Sequence, residues 1–69
     1  MHSDEETFRG TVQARNTDGG RHTVIVMRRG RGRDARVWLT LNGAWKTTVC
    51  MTDEEAAQLA ELLTKAQAP

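Results

Sequence analysis

Arg36-Val37-Trp38-Leu39-Thr40-Leu41-Asn42-Gly43 is the stretch that decides the architecture. Val37, Leu39 and Leu41 fall on one side of an extended chain. Arg36, Trp38 and Thr40 fall on the other. A period of two with one apolar side marks a strand that buries one face. Asn42-Gly43 then supplies residues that tolerate a tight reversal. Trp45-Lys46-Thr47-Thr48-Val49-Cys50-Met51 follows, and its β-branched residues favour extended chain. The reading is a hairpin of strands three and four.

The same logic extends upstream. Thr23-Val24-Ile25-Val26-Met27-Arg28 is apolar on both faces, so it predicts a strand that is central or interfacial, and its register cannot be read. Before it, Asp18-Gly19 is a hairpin signal. Phe8-Arg9-Gly10-Thr11-Val12-Gln13-Ala14-Arg15 alternates again, with Phe8, Gly10, Val12 and Ala14 on one side and Arg9, Thr11, Gln13 and Arg15 on the other. Residues 1–6 are polar and acidic and are expected to form a disordered arm.

Downstream, Thr52 lies three residues before Glu55, the spacing of a capping box. Asp53, Glu54 and Glu55 complement the positive end of a helix dipole, and Lys65 the negative end. Ala56, Leu59, Ala60 and Leu63 recur at helical spacing, with Leu62 and Ala66 widening the stripe. Short turns make the strands antiparallel. The sequence therefore predicts an α+β fold: a four-stranded antiparallel sheet followed by one C-terminal amphipathic helix (ββββα). One domain occupies residues 7–66, and residues 67–69 form a tail.

At 69 residues there is room for a single core. A chain this short buries only about 60% of its unfolded surface, so it leans on a disulfide, a metal or a partner. Cys50 is alone, which excludes an internal disulfide. His2, His22 and Cys50 lack zinc spacing, so no metal and no cofactor is expected. A homodimer is the remaining expectation. No apolar run approaches the ~20 residues of a membrane span, and the polar start is unlike a secretory signal. The expected location is the cytoplasm, with no membrane partner.

Five of the ten basic residues crowd into Arg28-Arg29-Gly30-Arg31-Gly32-Arg33-Asp34-Ala35-Arg36, although the whole chain is only +1. Guanidinium groups pair with phosphate oxygens, and glycines let backbone come close. The loop is therefore read as flexible and phosphate-binding, with Arg28, Arg29, Arg31, Arg33 and Arg36 as candidate contacts. The competing reading is a solvated loop that keeps the protein soluble. Trp38, beside Arg36 and Thr40, is a candidate base-stacking residue; burial in a dimer interface is its alternative. Trp45 is expected to fold over the sheet edge as core. Cys50 is expected to be buried or interfacial, and His22 exposed at a turn. No nucleophile or acid–base constellation is visible, so the chain reads as a non-enzyme.

A four-stranded antiparallel sheet closed by Val49-Cys50-Met51-Thr52-Asp53-Glu54-Glu55-Ala56-Ala57-Gln58-Leu59 resembles the Whirly and Pur-type single-stranded nucleic-acid binders and their transcriptional-coactivator relatives. The resemblance is one of layout over about residues 7–66 and transfers no binding residue. It implies a dimer that favours single-stranded nucleic acid. The helix, with Leu59-Ala60-Glu61-Leu62-Leu63, also looks like the ends of many short actinobacterial regulatory proteins. The functional expectation is a dimeric, nucleic-acid-binding transcriptional regulator. The alternative is a dimeric protein-interaction module, regulatory or phage-borne, that takes an acidic partner or a strand edge.

Overall fold

A computed structural model describes residues 5–67. The chain runs β1 (Glu6–Arg15), β2 (Arg21–Arg29), β3 (Arg36–Asn42), β4 (Lys46–Met51) and α1 (Asp53–Ala66), with one 3₁₀ turn at Gly32–Asp34 between β2 and β3. The strands form one antiparallel sheet in the order β1-β2-β3-β4. This is the ββββα, α+β layout that the alternation and the capping box imply. Residues 1–4 of the expected acidic arm lie outside the described residues, as do residues 68 and 69 of the tail. Glu6 already belongs to β1.

Register settles what β2 leaves open in the sequence. Val24 pairs with Val12 and Leu41, and Val26 with Gly10 and Leu39. Ile25 pairs with Thr11 and Thr40, and Met27 with Arg9 and Trp38. One face thus carries Val12, Val24, Val26, Leu39 and Leu41, and α1 lies on that side. The opposite face carries Ile25, Met27, Trp38, Thr40, Arg9 and Arg29.

The helix starts as predicted. Glu55 N donates to Thr52 Oγ1 at 3.1 Å, and Thr52 N donates to Glu55 Oε1 at 2.9 Å. Two of the four orphan donors of the helix start are thus satisfied locally. Its packing is less complete than a helix that buries its leucines on the sheet. The α1 backbone approaches only β3 and β4. Leu62 and Leu63 remain 63% and 58% exposed. Among the described residues, the side chains classed as buried are Met27 and Thr40, both on the face away from the helix. Trp45, expected as core, is 80% exposed. The reason is local: Gly43 N bonds the Trp45 carbonyl at 2.9 Å, which tightens the β3–β4 turn and leaves the indole outside it. Cys50 is exposed as well. His22 is half-buried instead of standing free at the turn; its ring lies so close to Gly43 that any Cβ there would meet it. No helix among the described residues is long and apolar enough to cross a membrane.

The β2–β3 loop is held by its own bonds. Asp34 N reaches the Arg31 carbonyl at 2.9 Å, Ala35 N the Gly32 carbonyl at 3.2 Å, and Gly30 N the Glu5 carbonyl at 3.1 Å. Gly30 and Gly32 both have positive φ, at 114° and 52°. They are not equivalent. A Cβ at Gly30 would sit 2.8 Å from Ala35 Cα and the Asp34 carbonyl, whereas one at Gly32 would meet nothing within 4 Å. Gly32→Ala should cost about 1 kcal/mol, the ordinary left-handed penalty. Gly30→Ala adds a backbone collision and should cost about 2–4 kcal/mol. Urea midpoints of the two variants measure the difference; equal midpoints would show that the loop relaxes freely.

Candidate nucleic-acid interface

The loop does not gather its five arginines at one point. Arg28 turns to the helix side, where its guanidinium holds Asp53 with two bonds, Nη1 to Oδ1 at 2.7 Å and Nη2 to Oδ2 at 3.3 Å. Arg28 therefore ties the start of α1 to β2. Arg36 turns its guanidinium back on the loop: Nη1 donates to the Arg33 carbonyl at 2.8 Å and the Ala35 carbonyl at 2.9 Å. Arg31 stands 3.8 Å from Glu5 and is largely solvated. Arg33 is exposed. Arg29 lies on the face away from the helix, its guanidinium 5.4 Å from the centre of the Trp38 ring.

The strands gather more charge than the loop does. Arg9, Arg15, Arg21, Arg29, Arg36 and Lys46 share the face opposite α1, six of the ten basic residues. Arg15 pairs directly with Arg21, and Arg29 with Arg36. Asp53, Glu54, Glu55 and Glu61 all ride on the helix. Glu6 brings a carboxylate to the basic face, where it accepts from Arg9 Nε and Nη2, both at 2.9 Å. Like charges brought side by side repel, so this face holds a counter-ion atmosphere that a polyanion can displace.

Sequence reading places Trp38, Arg36, Arg9, Gln13 and Thr40 on this face. It misses Arg21, Arg29 and Lys46 as members of the same surface. The signal for Arg29 and Arg21 is their even spacing from Met27 and Ile25, which becomes legible only once the register of β2 is fixed. Lys46 follows from its pairing with Asn42.

Trp38 is half-buried in the middle of the surface. Met27, its cross-strand neighbour, is 7% exposed and Thr40 3%. Thr40 and Thr48 share a hydroxyl hydrogen bond of 2.9 Å across β3 and β4. A shallow depression of about 300 Å³ opens here, lined by Arg9, Arg29, Trp38, Thr40 and Lys46 among others. The site thus offers one indole, a guanidinium over its ring and flanking cations on a firm floor. Groups of these kinds can pair with phosphates and stack on flat rings.

No family model matches the chain, and no curated protein or solved structure matches it.

Two ion pairs set the acid response. The Arg28 guanidinium, by hydrogen bond first and by charge second, holds the Asp53 carboxyl below its ordinary value. Arg9 does the same for Glu6. A carboxyl whose folded value is depressed stabilises the fold above its unfolded value, about pH 4, and loses that contribution as pH falls through the lower folded value. Arg28→Ala should return the Asp53 titration toward its ordinary value and leave Glu6 unchanged. Carboxyl titration followed by NMR checks this; an unmoved Asp53 would mean the pair does not form in solution.

Proposed function

We propose that this protein is a small, non-enzymatic nucleic-acid-binding regulator of the cytoplasm that takes single-stranded nucleic acid across the sheet face opposite its helix. The observation that carries the reading is the segregation of charge: six basic residues share the sheet face that holds Trp38, with Arg9, Arg29 and Lys46 lining the depression beside it, while the helix acids lie on the other side. On this reading Arg29, Arg36, Arg9 and Lys46 neutralise phosphates and Trp38 stacks a base. Arg31 and Arg33 extend the track at its loop end, and Arg28 serves the helix instead.

Geometry favours a single strand over a duplex. Four strands at about 4.8 Å spacing make a surface about 19 Å wide. The major groove of a duplex is about 12 Å wide and admits a helix or a two-stranded ribbon. A four-stranded face does not enter it, so bases must come to the surface unpaired. Along β2, Arg21 and Arg29 stand about 27 Å apart, which suits a site of several nucleotides.

A second reading rests on β1, a ten-residue strand at the edge of the sheet. Its outer backbone groups can accept an extended segment of an acidic protein.

Fluorescence anisotropy with labelled oligonucleotides at varied salt tests the first reading. With about four phosphates neutralised, the log–log salt slope for a single strand should lie near −3. The double variant Arg29→Ala/Arg36→Ala should flatten it by about 1.4 and weaken binding for all sequences alike. Arg28→Ala, on the helix side, should leave both unchanged. Tighter binding to duplex, or equal losses in the Arg28 variant, would overturn the assignment of this face. Absence of binding at low salt would favour the β1 edge.

A further inference from the structure

We infer that the helix side of the sheet is covered by a second copy of this chain, whose α1 seats on the part of the sheet that the first copy's α1 leaves bare. This inference concerns the face away from Trp38 and stands independently of the nucleic-acid reading.

The open surface is a groove of about 450 Å³ between helix and sheet. Its floor is Val12, Val24, Val26, Leu39 and Leu41, and its wall is Leu59 and Leu63. No charged residue lines it. Val12 is 61% exposed and Leu41 42%. Water against so many β-branched and leucine side chains is costly, at roughly 25 cal/mol per Å².

The exposed area is more than enough for a dimer interface. A compact chain of 7.7 kDa exposes about 4,300 Å². This one exposes 5797 Å². The excess is about 1,500 Å², against the ~800 Å² that each partner contributes to a standard interface. Shape agrees: the radius of gyration is 13.6 Å, where about 11 Å is usual at this length. The thinnest dimension is 15 Å.

The occupant's form follows from widths. A helix is about 10 Å across and the sheet about 19 Å. α1 lies over β3 and β4, so the bare strip over β1 and β2 is one helix wide. A two-fold axis exchanges ridge and bare strip, so one operation fills both. The helix is built for two neighbours. Its apolar arc runs from Leu62 through Leu59, Leu63 and Ala56 to Ala60, about 160° of the circumference, wider than the ~100° that one packing face needs. Leu62 sits on the flank of that arc, exposed within its own chain. The product is a three-layer assembly: sheet, two helices side by side, sheet.

Light scattering of the full chain on a sizing column, at micromolar concentration, should give twice the 7.7 kDa chain mass. The melting temperature should rise with protein concentration, as it does when folding and association are one step. Leu62→Glu, on a surface that its own chain does not use, should shift the wild-type dimer toward monomer or lower its melting temperature at a given concentration. Trp38→Ala should leave the mass unchanged. A monomer with a concentration-independent melting temperature would overturn the inference, because the groove would then be closed within one chain. A dimer that survives Leu62→Glu but is lost in Trp38→Ala would overturn it too, by placing the contact on the other face.

Discussion

The constraint on which this structure depends is a mismatch of widths. A four-stranded sheet presents two faces about 19 Å across, and the chain owns one helix of fourteen residues to cover them. A helix shields about half of one face. Each face must therefore find its own solution. The outer face closes itself with side chains: Arg29 lies over the Trp38 ring, Met27 is buried beside it, Thr40 bonds Thr48, and apart from Ile25 most of the rest is polar. The inner face is mainly apolar, with Val12, Val24, Val26, Leu39 and Leu41 in its floor, and has half a cover.

The Arg28–Asp53 pair matters because of that mismatch. It is an exposed interaction, and exposed ion pairs contribute little to stability. Its role here is positional. By reaching from β2 to the first residue of α1, Arg28 fixes the end of the helix that its capping box also fixes. Among the described residues the other end has no such tether: Lys65 pairs within the helix, with Glu61 at 3.4 Å. Placement at the N-terminal end decides which strands α1 covers, and hence which remain bare.

Most of the fold is legible in the sequence, for local reasons. The alternation of β1 and β3, the Asp18-Gly19 and Asn42-Gly43 turns and the Thr52–Glu55 box each depend on a few neighbouring residues. What is not legible is what depends on the third dimension. β2 is apolar on both sides, so only pairing with β1 and β3 tells which of its residues join Trp38. The arginine loop reads as a cluster because its residues are adjacent in sequence. In space, adjacent residues on a strand point to opposite faces, and Arg28 and Arg29 part company for that reason. The basic surface is instead assembled from four strands, at spacings no linear reading joins. Trp45 reads as core from its bulk alone, whereas the turn geometry at Gly43 decides its exposure.

The division between the faces has a consequence for how the two proposals fit together. In the two-copy arrangement both inner faces are consumed, and both Trp38 faces point outward on opposite sides. They stand about 20 Å apart, two layers at about 10 Å each. Trp38 is then not asked to fill an interface and stack a base at once. The dimer carries two tracks, each complete within one chain. A single strand that occupies one track must pass around the sheet edge to reach the other, while two separate strands can be held together without bending. Linked sites of this kind raise apparent affinity through effective concentration, and do so only for ligands long enough to span them. If both proposals hold, the length of nucleic acid at which binding tightens would be set by the dimer's thickness, a quantity fixed by hydrophobic packing on the face away from Trp38.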